Sequence, residues 1–234
     1  MTGKTAVIIG ASGGIGCAMA DALEEEDIYD RVIRFSRSSE SPVMLDIEQE
    51  ASIVAAANWL GEQAIEPDLI FVATGLLHSS MNGPEKNLND LDSEWLAENY
   101  RINTIGPALI AKHLLPKMVR DNAAIFAVLS ARVGSISDNR LGGWYGYRAA
   151  KAALNMMIRN LAIEWRRKDK RSIIVALHPG TVDTGLSLPF QSNVPAGKLF
   201  DPGRAAVQLL DVLDGLKPAD SGKIFAWDGE EIAP

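Results

Sequence analysis

Short runs of apolar residues alternate with longer segments of helical periodicity along the whole chain. Several of the runs contain no polar position, which is typical of β-strands that are buried on both faces of a sheet. The predicted strands lie at residues 5–9, 31–35, 43–45, 69–73, 123–129, 172–177 and 223–227. The predicted helices lie near residues 14–26, 48–62, 93–119, 147–168 and 202–213.

This alternation predicts an α/β fold, in which strand–helix–strand units build a doubly wound, mainly parallel sheet of seven strands with helices on both faces. The sequence contains no internal repeat, low-complexity tract or linker, so we expect residues 1–234 to form a single domain. Segments 76–89 and 181–201 are rich in loop-forming residues, and the second is long enough to be a lid or a binding loop.

Composition and charge limit the kinds of molecule that the protein is expected to bind. The net charge of -7 disfavours nucleic acid and anionic membranes, and no apolar stretch reaches the roughly 18 residues of a membrane span. The first residues show no signal-peptide pattern and the chain has one cysteine, Cys17, so we expect a cytoplasmic protein. The histidines at 78, 113 and 178 are scattered, so no metal site is predicted.

The first predicted strand runs directly into Gly10-Ala-Ser-Gly-Gly-Ile-Gly16, which opens the first predicted helix. Glycine permits a tight strand-to-helix turn and close approach of a ligand, and the helix N-terminus offers N–H groups to a phosphate. In this position the pattern indicates dinucleotide binding and a Rossmann-type fold, rather than a merely structural turn. The expected contacts are Gly10, Ser12, Gly13, Gly14, Ile15 and Gly16.

The end of the second strand bears on the choice of dinucleotide. It reads Phe35-Ser36-Arg37, without the acidic residue that usually holds the ribose 2′-hydroxyl of NAD. Arg37 can pair with a 2′-phosphate, so the sequence favours NADP(H) over NAD(H), unless Arg37 is an ordinary surface arginine. Asp46 can reach the adenine amino group, although a turn or capping role is also open.

Tyr147 and Lys151 lie four residues apart in a predicted helix, so their side chains share one face. An adjacent ammonium is expected to lower the pKa of the phenol from about 10 and so ease proton exchange at neutral pH. Earlier in the chain, Asn103 precedes Pro107 by four residues. The proline frees the carbonyl of Asn103, and the resulting kink can seat an ordered water.

In this order the motifs resemble the short-chain dehydrogenase/reductase family over essentially the whole chain. In that family the pro-S hydride of the nicotinamide passes to a carbonyl carbon, a tyrosine exchanges the proton on oxygen, and a lysine holds the nicotinamide ribose. An asparagine-bound water relays protons, and a serine orients the substrate. The resemblance implies catalytic roles for Tyr147, Lys151, Asn103 and Ser130. It also implies cofactor contacts from Ala73, Thr74, Gly75, Tyr147, Lys151, Pro179, Gly180, Val182 and Thr184.

The serine motif departs from the family pattern. The family shows Ser-Ser, two further residues and Gly, with the second serine catalytic, but here Ala131 holds that second place. Either Ser130 takes the role, or Ser135 reaches in from the next turn, or the site lacks the serine; we favour Ser130. The fourth-strand motif also lacks the usual two asparagines before Ala-Gly, which leaves the contacts of that turn open.

Segment 135–146 and the C-terminal segment 221–229 resemble the subgroup of the C-factor signalling protein and small carbonyl reductases. We therefore expect an NADP(H)-dependent oxidoreductase that interconverts a carbonyl and a secondary alcohol on a small hydrophobic substrate. One alternative is a nucleotide-binding sensor or signalling protein of the same fold with idle chemistry, which Ala131 favours. Another is a methyltransferase, which would have no use for Tyr147 and Lys151. The resemblance also implies a homodimer or homotetramer.

Overall fold

The computed structural model describes residues 3–120 and 122–234, so the first residues of the chain, on which the signal-peptide expectation rests, lie partly outside it. Its strands are β1 (Thr5–Ile9), β2 (Arg31–Phe35), β3 (Leu69–Val72), β4 (Ile125–Leu129), β5 (Ile173–His178), β6 (Thr181–Val182), β7 (Leu199–Phe200) and β8 (Ile224–Ala226). Its α-helices are α1 (Gly14–Glu25), α2 (Glu50–Glu62), α3 (Ser93–Tyr100), α4 (Gly106–Leu114), α5 (Tyr145–Trp165) and α6 (Pro202–Gly215). None of these helices is long and apolar enough to cross a bilayer.

The central sheet has six strands in the order β2-β1-β3-β4-β5-β8, and every neighbouring pair is parallel. The prediction of a seventh strand at residues 43–45 is wrong, because this segment lies in the turn region that follows β2. Met44 is 62% exposed, and the N–H of Leu45 donates to the carbonyl of Ser36 within this turn region, so the segment lacks the burial and the strand neighbour that a central strand needs.

Alternate residues of the buried strands face two separate apolar layers. Ala6 and Ile8 join the cluster beneath α1 and α6, whereas Val7 and Ile9 join the cluster beneath α2, α4 and α5. The sheet is therefore covered on both faces, as its continuous apolar strands predict. The strand order reverses between β1 and β3, and sheets of this kind bind ligands in the crevice at that point.

The predicted helix at 93–119 is interrupted at its centre. Residues Arg101–Ile105 form a π-helical turn between α3 and α4, in which the N–H of Gly106 donates to the carbonyl of Arg101. Pro107 has no N–H to continue a regular ladder, and a wider turn is one way to accommodate it. The interruption places Asn103, fully buried, opposite the loop that follows β3.

Candidate active site

A continuous cleft of three chambers lies at the carboxyl edge of the sheet. The outer chamber is a cavity of about 360 Å³ at the ends of β1, β2 and β3. The inner chamber, about 310 Å³, lies between the glycine-rich turn and α5. The apolar chamber, about 190 Å³, lies beneath the segment after β5. Gly13 and residues 73–75 line both the outer and the inner chamber, whereas Tyr147 and Thr184 line both the inner and the apolar chamber.

The glycine-rich turn forms a cradle that larger residues would fill. Gly10 has a φ of 85°, a left-handed conformation that favours glycine. A Cβ atom on Gly16 would overlap the carbonyl of Gly10, and one on Gly14 would come within 2.6 Å of the Thr184 Cγ2 atom. Among the described residues no side chain caps α1, so the N–H groups of its first turn are available to an anion.

The outer chamber brings together several residues that the sequence predicts as nucleotide contacts. Arg37 is exposed at the end of β2 and lines this chamber together with Gly10, Ser12 and Gly13. Asp46 also lines it, while its carboxylate accepts a hydrogen bond from the N–H of Glu48 at 3.1 Å. Asp46 therefore has the turn role and a place in the chamber. The same chamber is also lined by residues that the sequence did not predict as nucleotide contacts: Ile9, Ser36, Leu45, Ile47, Glu48, Leu76, Glu98 and Ile102.

Thr74 tests whether the cleft fits a dinucleotide. Thr74 lines both the outer and the inner chamber. Its Oγ1 atom is buried without a hydrogen-bond partner among the described residues. Buried polar atoms are nearly always paired, so an unpaired hydroxyl here fits a ligand rich in hydrogen-bonding groups. With the free N–H groups of α1, the residues present fit a pyrophosphate-bearing dinucleotide. Among the described residues, no cluster of His, Cys, Asp or Glu could hold a metal ion.

Tyr147 and Lys151 lie on the first turns of α5 and are both buried, at 8% and 2% exposure. Tyr147 stands where the inner and apolar chambers meet, and Lys151 lines the inner chamber. The Nζ atom of Lys151 donates a hydrogen bond to the carbonyl of Leu129 at 2.8 Å and lies 5.8 Å from the centroid of the Tyr147 ring. The two side chains thus face the cleft together, as their spacing predicts.

Burial dominates the titration of both groups in the structure. It raises the pKa of Tyr147 above its ordinary value, and it lowers the pKa of Lys151 from 10.5 to about 7. The prediction that Lys151 lowers the pKa of Tyr147 is therefore wrong for this structure, because desolvation disfavours the charged form of each group. The phenol of Tyr147 is therefore protonated at neutral pH, and the pKa of the Lys151 amine lies close to neutral pH.

The side chain of Asn103 braces the loop that follows β3. Its Nδ2 atom donates to the carbonyl of Leu76 at 2.8 Å, and its Oδ1 atom accepts from the N–H of Leu76 at 3.0 Å. A Cβ atom on Gly75 would lie 3.5 Å from Asn103 Oδ1 and 3.8 Å from Lys151 Nζ, so these three residues are close neighbours. Asn103 therefore supports the wall of the inner chamber, and the water relay stays a prediction.

The structure separates the serine candidates. Ser130 lines the inner and apolar chambers, but its hydroxyl donates to the Oδ1 atom of Asn155 at 2.7 Å. Ala131 packs in the same apolar cluster as Tyr147. Ser135 is buried, and its hydroxyl accepts from the N–H of Asp138 at 3.2 Å. Ser130 is thus the candidate that reaches the cleft, with its hydroxyl engaged elsewhere.

Aromatic and aliphatic side chains enclose the apolar chamber. The ring of Trp144 lies 6.4 Å from that of Tyr147 and 5.2 Å from that of Phe190. Phe190 belongs to the predicted lid segment, which His78 holds through a hydrogen bond to the carbonyl of Gly185 at 2.9 Å. His178 also lines the chamber, and burial lowers its pKa to about 4, so its ring is neutral.

The remaining predicted contacts follow β5. Pro179 lines the inner and apolar chambers, and Gly180 and Val182 line the apolar chamber. Gly180 has a φ of 77°, and a Cβ atom there would come within 2.6 Å of the Phe200 ring. The segment therefore packs closely against β7 and brings Thr184 over Gly14. Together, the fold and the cleft define a dinucleotide-binding α/β protein with a buried tyrosine–lysine pair.

A family model described as short chain dehydrogenase matches residues 4–194. The chain belongs to the short-chain dehydrogenase/reductase family, and it is of the C-factor and carbonyl reductase type. It is therefore an oxidoreductase of the carbonyl and alcohol class. A methyltransferase, the other enzyme class that the glycine-rich turn left open, does not agree with this family.

Two curated relatives illustrate the family. The chain is 35% identical to the C-signal of Myxococcus xanthus over 145 residues, which are 62% of this chain and 82% of the relative. It is 29% identical over 233 residues to the 1-hydroxy-2-glutathionyl-2-methyl-3-butene dehydrogenase of Rhodococcus sp. (strain AD45), with 97% of each chain covered.

Two solved structures share the fold over nearly their whole length. The NADPH-bound carbonyl reductase from chicken fatty liver aligns with a TM-score of 0.85 at 25% identity, covering 99% of this chain and 94% of that one. The carbonyl reductase Sniffer of Drosophila melanogaster aligns with a TM-score of 0.85 at 19% identity, covering 100% of both chains.

Proposed function

We propose that the protein uses NADP(H) to interconvert a carbonyl and a secondary alcohol, with Tyr147 as the general acid and base. The position of Tyr147 carries this proposal. Its side chain lies where the inner chamber, which is continuous with the glycine cradle, opens into the apolar chamber. A proton donor at that junction can serve a substrate on one side and a dinucleotide on the other.

A bound nicotinamide supplies or accepts the hydride. The N–H groups at the start of α1 would hold the pyrophosphate. The hydroxyl of Thr74 would hydrogen-bond to a polar group of the dinucleotide, and the carboxylate of Asp46 would accept a hydrogen bond from the adenine amino group. Arg37 would pair with the 2′-phosphate, which supports NADP(H) over NAD(H). The NADPH in the chicken carbonyl reductase supports the same choice.

Tyr147 and Lys151 would divide the proton transfer between them. The raised pKa of Tyr147 keeps its phenol protonated at neutral pH, the state that can donate to a carbonyl oxygen. Donation leaves a phenolate in a dry site, and an ammonium at Lys151 would stabilise it. Because the pKa of Lys151 is about 7, its amine can also exchange protons readily at neutral pH. Asn103 would hold the chamber wall beside both groups.

The apolar chamber supports a small hydrophobic substrate. Leu77, Val133, Trp144 and Phe190 pack around Tyr147 and give this chamber a mainly apolar wall. A cavity of about 190 Å³ is below the usual size of a drug-like ligand site, so we expect compact aldehydes and ketones with an aromatic or branched group.

A carbonyl screen with NADPH and NADH in parallel tests this function. We expect a compact aromatic ketone or aldehyde to be reduced, with kcat/KM higher for NADPH than for NADH. Tyr147→Phe is expected to lower kcat by at least about a hundredfold while NADPH still binds. Full activity in Tyr147→Phe would contradict the role of the phenol, and equal use of both dinucleotides would contradict the choice of cofactor.

A second candidate is a nucleotide-binding sensor or signalling protein with little catalysis. It is favoured by Ala131 at the place of the usual serine and by the engagement of Ser130 with Asn155. The likeness to the C-signal of Myxococcus xanthus also bears on it. Tight NADPH binding without turnover of any carbonyl in the screen would favour this candidate over the first.

Exposed apolar side chains on the central helices support self-association of the protein. Tyr100, Ile105, Met156 and Ile163 are exposed apolar side chains on the central helices, at 36%, 50%, 61% and 46% exposure. Such a surface supports a homodimer or homotetramer through these helices, and a monomer by light scattering would contradict it.

We expect a cytoplasmic location, in which the free Cys17 stays reduced.

A further inference from the structure

Glu85 is a buried carboxylate outside the three chambers. It lies in the loop between β3 and α3 and is only 2% exposed. One oxygen, Oε2, accepts a hydrogen bond from the N–H of Gly146 at 3.1 Å. The other, Oε1, has no partner among the described residues. Glutamate is almost never fully buried unless it is paired, so this placement calls for a physical explanation.

The partner of Glu85 is the first turn of α5. Gly146 is the second residue of that helix and immediately precedes Tyr147. Within the described part of the chain no side-chain hydrogen bond comes from the N-cap residue of α5, Trp144. Glu85, 61 residues earlier in the chain, supplies the side-chain acceptor that the N-cap residue does not provide. A carboxylate at this place also interacts favourably with the positive end of the helix dipole.

The main chain of Glu85 makes a second contact with the same region. Its carbonyl accepts a hydrogen bond from the N–H of Trp144 at 2.5 Å. Trp144 adopts a left-handed conformation with φ 52° and ψ 44°, which is uncommon for a bulky residue and needs support from its surroundings. The same tryptophan forms the wall of the apolar chamber against Tyr147 and Phe190.

Close packing fixes the carboxylate against α5. A Cβ atom on Gly146 would lie 2.7 Å from Glu85 Oε1 and 3.4 Å from Asn99 Nδ2. Asn99 in turn accepts a hydrogen bond from Asn103 Nδ2 at 3.4 Å. The glutamate therefore sits between the start of α5 and the asparagines that brace the inner chamber.

We propose that Glu85 is a positioning residue, whose carboxylate and carbonyl fix the first turn of α5 and thereby place Tyr147 and Trp144 toward the substrate. The inference rests on the proposed function of Tyr147. It assigns to Glu85 a part in catalysis without contact with substrate or cofactor. The requirement is a hydrogen-bond acceptor at the side chain, which glutamine can also provide.

Steady-state kinetics of Glu85→Ala, Glu85→Gln and the exposed neighbour control Lys86→Ala test this role. We expect Glu85→Ala to lower kcat by about tenfold or more, because small displacements of a catalytic group are costly. The KM for NADPH should change by less than about twofold, since the cradle lies elsewhere. Glu85→Gln should recover most of kcat, and Lys86→Ala should match the wild type.

Hydrogen exchange of residues 142–147 provides a readout that needs no turnover. Loss of the anchor in Glu85→Ala should raise exchange in this segment by about tenfold or more, with little change in Glu85→Gln. Unchanged exchange in Glu85→Ala, wild-type kcat in Glu85→Ala, or a Glu85→Gln variant as impaired as Glu85→Ala would each overturn the positioning role. A wild type that reduces no carbonyl while Glu85→Ala still exchanges faster would refute the proposed function and leave the anchor supported.

Discussion

Lys151 is expected to give the protein a distinctive dependence of stability on pH. Its amine is 2% exposed, and burial lowers its pKa from 10.5 to about 7. The variant Lys151→Met removes the titrating group but keeps an unbranched side chain of similar length. Comparison of the two proteins therefore isolates the contribution of this amine to the free energy of unfolding.

The sign of the effect follows from proton binding. Between pH 7 and 10.5 the unfolded chain binds a proton at Lys151 and the folded chain largely does not. The free energy of unfolding therefore rises with pH across this window. At about 1.4 kcal/mol per pH unit, a change from about pH 7.5 to about pH 9.5 gains on the order of 2 kcal/mol from this group. Tyr147 contributes little up to about pH 9.5, because its phenol is largely protonated there in the unfolded chain as well as in the folded chain, and both proteins contain it.

Urea unfolding followed by circular dichroism at the two pH values measures this gain. We expect the wild type to gain about 2 kcal/mol more than Lys151→Met on going to the higher pH. Lys112→Met is the matched control, since that side chain is 61% exposed and its removal should leave the wild-type dependence. Identical pH dependence in the wild type and Lys151→Met would refute the argument from burial.

Two substitutions test the cofactor and serine assignments. Arg37→Ala should raise the KM for NADPH by about ten- to a hundredfold and leave the KM for NADH nearly unchanged, because the pairing with the 2′-phosphate is lost. Equal changes for both dinucleotides in steady-state kinetics would contradict this role. Ser130→Ala should leave kcat within about threefold and lower the free energy of unfolding by about 1–2 kcal/mol, since it leaves the buried Oδ1 atom of Asn155 without its donor. A hundredfold loss of kcat with unchanged stability would instead make Ser130 the catalytic serine.

The strands of the central sheet were largely predictable because burial on both faces leaves a continuous apolar run. The prediction failed at 43–45, where a run of three residues follows Pro42 and carries the exposed Met44. The glycine cradle was predictable for a related reason. The carbonyl of Gly10 approaches Gly16 so closely that a larger residue is excluded at position 16. The turn therefore needs glycine there, and the glycine pattern is visible in the sequence.

Other features depend on contacts between distant segments and leave no local signal. Asn103 pairs through its side chain with Leu76, 27 residues earlier, whereas spacing to Pro107 pointed only to its carbonyl. Glu85 reaches the start of α5 across 61 residues. The predicted direction of the Tyr147 pKa shift was wrong, because helix spacing shows that Lys151 is near but does not show the burial that raises this pKa.

Transfer of deuterium from NADPH labelled at the pro-S position of the nicotinamide tests the central claim most directly. Mass spectrometry of the alcohol product is carried out with the wild type and with Tyr147→Phe. The account predicts one deuterium on the former carbonyl carbon with the wild type and at least about a hundredfold slower transfer with Tyr147→Phe, at unchanged NADPH affinity. Transfer at the wild-type rate by Tyr147→Phe would contradict it, as would reduction by the wild type without deuterium in the product.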